Sequence, residues 1–188
     1  MKKLILFFLT TLSLSCCSKD DDRTPVEKLP AATQKGANTA GCLVNGEAFL
    51  PKGTSLGGPI LSCFYQRNQY GYHLGLSIVN KTFDIDKVIN IAANPSQLIE
   101  NTTYSLVAIK DNTFSYISNF GEYYTLTNTG AGDAFYTTTD IITGELKITK
   151  LDTQKNIISG TFWYDAVNNT NTEKVQVREG RFDMHYVN

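Results

Sequence analysis

Histidine is nearly absent from this chain, and most imidazole chemistry is excluded with it. There are two in 188 residues, His73 and His185. Neither has a second His, a Cys or a Glu at metal-ligand spacing, so no metal centre is expected. Each alternates outward between large apolar neighbours, Tyr72 and Leu74 for one and Met184 and Tyr186 for the other, as solvated strand histidines do. Basic charge is equally thin, with 17 Lys and Arg against 18 Asp and Glu. A nucleic-acid-binding domain wants a clustered basic face, so nucleic acid is not expected as a partner. Long apolar runs are missing too. Leu4 to Leu14 is 11 residues, too few to cross ~30 Å of hydrocarbon as a helix. No window of 11 residues shows helical periodicity, and no internal repeat of fixed period is present.

The short apolar run has a meaning where it stands. Met1-Lys2-Lys3 is a positive start, Leu4 to Leu14 an apolar core, and small residues follow, the pattern of a secretory signal that is removed. The signal ends at cysteine. Leu14-Ser15-Cys16-Cys17 resembles the lipobox of bacterial lipoproteins, which is cut before a Cys that receives acyl chains. The resemblance implies a signal peptide over 1–16 and lipidation at Cys17. Ser13-Leu14-Ser15-Cys16 fits less well, with Ser in the apolar position, and leaves Cys16 as the alternative. Each buried methylene of such an anchor contributes ~0.8 kcal/mol.

The acids that follow carry a second resemblance. Ser18-Lys19-Asp20-Asp21-Asp22 is similar to the export signal of surface lipoproteins in Bacteroidetes, and implies an outer-membrane anchor facing the cell exterior. The plainer reading, compatible with the first, is that three aspartates keep a tether solvated and off an anionic membrane; the periplasmic face is the alternative orientation. Cleavage before Cys17 leaves 15 basic residues against 18 acidic, a formal charge of −3. Asp22 to Ala40 holds Pro25 and Pro30, few apolar residues and mixed charge, so 17–40 is expected to be a flexible tether. Residues 41–188 remain, enough for one domain that buries roughly 70% of its unfolded surface.

From Gly41 onward Val, Ile, Thr, Tyr and Phe dominate, and Asn, Gly and Asp mark the breaks, which are strand signals. "CLVNGEAFL" is a hairpin with Asn45-Gly46 in its two left-handed turn positions. Alternation points Tyr72, Leu74, Leu76 and Ile78 one way, then Tyr104, Leu106 and Ala108, then Leu146 and Ile148, then Ile158, Phe162, Tyr164 and Ala166. Near the C-terminus Val175 and Val177 share one phase and Phe182, Met184 and Tyr186 the other. A bulge or tight bend at Glu179-Gly180 would reconcile them. The expected fold is all-β: about ten to twelve strands in an antiparallel meander, closing as a two-sheet sandwich or a flattened barrel.

Four blocks carry a family resemblance. "LPAATQKGANTAGCLVNGEAFLPKG" (Leu29 to Gly53), "GELKITKLD" (Gly144 to Asp152), "ISGTFWYDAVN" (Ile158 to Asn168) and "VREGRFDMHY" (Val177 to Tyr186) resemble a family of uncharacterised Bacteroidetes lipoproteins. They lie at both ends of the mature chain, while Thr54 to Asp140 matches only loosely; the resemblance implies membership, and assigns no activity because none is assigned to the family.

Candidate chemistry is sparse. Gly53-Thr54-Ser55-Leu56-Gly57 has the spacing of a nucleophile elbow, but Pro51, Gly58 and Pro59 leave no helix to follow it, so it reads as a loop. Asp84 and Asp86 lack the Gly-rich loop of a calcium site, and Asp133 is a lone turn acid. Cys42 and Cys63 stand in strand-like segments of a chain bound for an oxidising compartment. A disulfide between them is expected, worth ~3 kcal/mol; two reduced, buried thiols are the alternative.

Trp163 is the most suggestive residue. It alternates away from Phe162 and Tyr164 and shares a face with Thr161 and Asp165, an aromatic beside hydrogen-bonding groups that suits a sugar or peptide. The alternative is that it faces a second sheet or is covered by the tether. The expectation is a lipid-anchored, surface-facing β domain without catalysis or cofactor, in a binding or structural role. A glycan- or peptide-binding accessory subunit of an outer-membrane uptake system is the alternative. A hydrolase would need a carboxylate pair in a cleft, which these isolated acids do not nominate.

Overall fold

The computed structural model describes residues 22–54, 58–94, 97–110 and 117–188. The signal peptide, Cys16, Cys17 and the Lys19-Asp20-Asp21 run lie outside the described residues, as do Ser55, Leu56 and Gly57 of the loop after Gly53. A 3₁₀ turn (Val26–Lys28) precedes eleven strands: β1 (Thr39–Val44), β2 (Glu47–Phe49), β3 (Leu61–Asn68), β4 (Gly71–Lys81), β5 (Ile85–Ala93), β6 (Thr103–Leu106), β7 (Phe120–Thr127), β8 (Ala134–Thr137), β9 (Gly144–Asp152), β10 (Ile157–Asn168) and β11 (Lys174–His185). No α-helix occurs among the described residues.

All strand pairs are antiparallel, in one curled sheet ordered β2-β1-β11-β10-β8-β7-β5-β4-β3. The long β10 takes two partners along one edge, β9 beside Ile157–Tyr164 and β8 beside Val167–Asn168, and β6 adds to β9. The two ends of the sheet meet. Lys52, just past β2, forms a parallel bridge with Asn80 of β4, and Phe64 of β3 forms one with Val187 just past β11. The all-β expectation therefore holds, as a half-barrel curled about one core.

That core follows from strand alternation. Leu74, Leu76 and Ile78 stand opposite Ala93, Ile91 and Ile89, and all six are buried. Leu146, Ile148, Ile158, Phe162, Tyr164 and Ala166 join them from the other side in a single cluster. Leu98 plugs one end, its N–H donating to the Tyr65 hydroxyl at 2.9 Å. The β1–β2 turn is as read, with Asn45 at φ 50° and Gly46 at φ 88°.

The phase slip in β11 is a bulge, and both neighbours register it. The β10 ladder shifts between Phe162 and Tyr164, and the β1 ladder between Gly41 and Leu43. Glu179, at φ 54°, takes the left-handed position. Gly180 beside it has no room for a side chain: a Cβ there would lie 2.4 Å from the Phe162 ring.

The segment expected to be a tether differs from expectation over its described part. Leu29 is buried, and Thr33 to Ala37 wrap around Asp183. Asp183 lies on the outer side of β11, yet only 1% of it is exposed, because this strap covers it. Its carboxylate accepts from the Thr33 hydroxyl (2.5 Å), the Ser159 hydroxyl (2.8 Å) and the backbone N–H of Lys35 (3.0 Å), Gly36 (2.7 Å) and Ala37 (3.1 Å). Asn38 adds a side-chain oxygen under the His185 N–H at 2.8 Å. Burial pushes the Asp183 carboxyl up, and the donors from Thr33, Lys35, Gly36 and Ser159 more than reverse this, holding it well below the usual carboxylate range. Composition missed the strap because what holds it is one carboxylate about 150 residues away, not apolar content.

The expected disulfide is likewise absent: Cys42 and Cys63 are free and buried. The strands that carry them are not neighbours. β1 lies between β2 and β11, while β3 pairs with β4. Burial pushes both thiols up, Cys63 to about 12, which suppresses the reactive thiolate.

Two outcomes follow. Asp183→Asn replaces one acceptor oxygen with a donor facing other donors. Denaturant titration should show a loss of about 3 kcal/mol, and limited proteolysis should cut the freed strap first. Because the folded pKa is depressed, the contribution of Asp183 is present above the ordinary carboxylate pKa and fades as pH falls below it; the variant should lack that acid dependence. In the wild type, iodoacetamide should leave Cys42 and Cys63 unmodified until the protein is unfolded. A linked peptide pair in a non-reducing digest would contradict this.

Candidate functional site

The outward-facing residues of β6, β9, β10 and β11 form cross-strand rows. Thr161 stands opposite Arg181 on one side and Lys147 on the other, and Lys147 opposite Thr103. One step along, Trp163 stands opposite Glu145, and Glu145 opposite Ser105. Thr103, Lys147, Thr161 and Arg181 of the first row and Glu145 and Trp163 of the second line a shallow groove of about 460 Å³.

Trp163 points outward and is 38% exposed. The β11 bulge shapes its surroundings, since an extra residue re-aims the side chains beside it. Arg178, at the bulge, sets its guanidinium carbon 5.4 Å from the centre of the indole. The same guanidinium donates to the backbone oxygens of Tyr164 (3.0 Å) and Val177 (2.9 Å) and to Asp165 Oδ1 (2.6 Å). The indole Nε1–H donates to Glu145 Oε2 at 3.2 Å. The ring is thus oriented at its edge by Glu145 and supported by Arg178.

Of the residues nominated from sequence, Trp163 and Thr161 line the groove, while Asp165 adjoins it and is engaged by Arg178. Sequence reading missed Arg178, Glu145, Lys147 and Arg181. Each sits on a neighbouring strand, so only the register reveals it. Charge in the groove is mostly neutralised internally: Arg178 pairs with Asp165, and Arg181 with Glu179 at 3.2 Å. Lys147 is the cation there without an ion pair among the described residues. Among the described residues no group of three or more His, Cys, Asp or Glu could hold a metal ion. The groove can therefore stack a flat apolar surface on the indole and hydrogen-bond polar groups around it.

Behind Trp163, Tyr164 points the other way. It is fully buried, and its hydroxyl donates to the Glu122 carbonyl of β7 at 2.5 Å, tying the two sides of the sheet together through the core.

These features define a small antiparallel β domain with one apolar core and a polar, aromatic-centred groove on its outer face. The chain belongs to the family of the domain of unknown function (DUF6252), whose model matches residues 80–184. That span takes in Trp163, Arg178 and Asp183, and leaves out the Leu29–Gly53 block. No curated protein and no solved structure matches the chain.

Trp163→Ala should cost about 1 kcal/mol, the scale of an exposed cation–π contact, against the ~3–5 kcal/mol of a core aromatic. A thermal melt reads the difference.

Proposed function

We propose that this chain is an outer-membrane lipoprotein, acylated at Cys17 with Cys16 as the alternative, whose β domain faces the cell exterior as a non-catalytic binding module. The anchor rests on Leu14-Ser15-Cys16-Cys17, which resembles a lipobox, and the outward orientation on Lys19-Asp20-Asp21-Asp22, which is similar to the export signal of surface lipoproteins in Bacteroidetes. The observation that carries the binding role is Trp163, a large aromatic left partly exposed and held in place from two sides. A core-filling aromatic needs no such support on the outer face. The ligand class is a glycan or peptide that lays an apolar face on the indole and hydrogen-bonds to Thr161 and Lys147, consistent with an accessory subunit of an uptake system. The acids nearest Trp163 are engaged, Glu145 by the indole and Asp165 by Arg178, which favours binding over hydrolysis.

Two measurements test the reading. Cys17→Ala should release the protein from the membrane fraction, and protease added to intact cells should degrade the wild type. Retention of both Cys17→Ala and Cys16→Ala in the membrane would refute the anchor. The soluble domain, screened on glycan and peptide arrays, should bind at least one class, and Trp163→Ala should abolish that signal while remaining folded. Undiminished binding by the variant would move the site elsewhere.

A further inference from the structure

A second depression of about 500 Å³ lies away from Trp163, on the outer face of β3, β4, β5 and β7. The registers show why it is concave. Phe64, Gly75, Ala92 and Phe120 form one cross-strand row, with its two small residues in the middle. Ser77, Asn90 and Glu122 form the taller row on one flank, and Gln66 and His73 stand on the other. The Phe64 ring folds over Gly75, where a Cβ would lie 2.2 Å from it, and Phe64 remains 42% exposed. The result is a trough with a low floor, polar walls and an aromatic at one end, within the size range of small-molecule sites.

Its charge is unbalanced. Glu122 is the acid in the trough, and among the described residues its carboxylate accepts one long hydrogen bond, from Asn90 Nδ2 at 3.4 Å. No cation pairs with it among the described residues. Arg67, the other charged residue at the rim, is drawn to Tyr72, its guanidinium carbon 5.7 Å from that ring. Burial raises the Glu122 pKa, and the Asn90 contact only partly opposes this. A neutral ligand settling here would strip more water from a carboxylate and return no charge. A cation would compensate it.

We infer that this trough binds a protonated primary amine, with its ammonium against Glu122 and Asn90 and its carbon skeleton along Phe64. The ammonium brings three donors to a wall that presents the Glu122 carboxylate and the Asn90 side-chain oxygen as acceptors. The Tyr164 hydroxyl on the Glu122 carbonyl fixes the backbone that carries the acid. This site is independent of the Trp163 groove.

The test is an amide NMR titration of the soluble domain with matched probes: glucosamine against N-acetylglucosamine, and Nα-acetyl-lysinamide against its Nζ-acetyl form. Each pair differs chiefly in the charge on one nitrogen. The charged member of at least one pair should shift the amides of Gly75, Asn90, Ala92 and Glu122, and its acetylated partner should not. Glucosamine alone would point to an amino sugar, acetyl-lysinamide alone to a lysine side chain. Glu122→Gln should weaken the charged probes about tenfold, whereas Trp163→Ala should leave them unchanged. Should Glu122→Gln fail to give a folded spectrum, the charged-against-acetylated comparison on the wild type decides. Equal binding of acetylated probes, full affinity in folded Glu122→Gln, or no shift at these amides overturns the inference.

Discussion

One surplus residue in β11 governs how this sheet can close. β11 is paired on both edges, and both ladders shift at the same place. Without the shift, strict alternation would bury either Val175 and Val177 or Phe182 and Met184 and turn the other pair to solvent. With it, all four enter the core. The left-handed Glu179 costs about 1–2 kcal/mol, and each apolar side chain kept inside is worth about 1.5–3 kcal/mol, so the bulge wins by a clear margin. It also brings Arg178 beside the Trp163 ring. The core constraint and the outer groove thus have one origin.

The interior is one cluster of buried apolar side chains, and the two depressions described above lie on the outer face. Tyr164 makes that division workable. Its ring fills the space above Gly121, where a Cβ would lie 2.7 Å away, and its hydroxyl holds the β7 backbone. Trp163 is its neighbour in the chain, and Glu122 supplies the carbonyl it holds. Both outer depressions are therefore mounted on one buried side chain, the kind of rigid support that a precise site needs.

Much of the fold was legible because it is local. Asn45-Gly46 demanded its turn, alternation assigned the inward residues of β4, β9 and β10 correctly, and the odd spacing between Val177 and Phe182 announced the bulge. Trp163 was legible for the same reason, since its outward direction follows from Phe162 and Tyr164. What stayed hidden depends on which strands lie side by side. Glu145 and Arg178 meet Trp163 only through the order β9-β10-β11, and the trough around Glu122 exists only because Gly75 and Ala92 fall in one row. The Cys42–Cys63 expectation failed on that ground, since a strand address does not name its neighbours. The strap failed differently: polar composition suggested an unfolded segment, but a buried carboxylate held it through backbone N–H groups that composition does not count.

The strap bears on the proposed acylation at Cys17, because it takes up part of the chain between that residue and the domain. A free tether from Cys17 to Gly41 would span up to about 80 Å at full extension, but Leu29 is already buried against the domain, which halves that length to about 40 Å. With the proposed acylation, the strap's attachment point would stay within about 40 Å of the membrane surface, half the reach of a free tether.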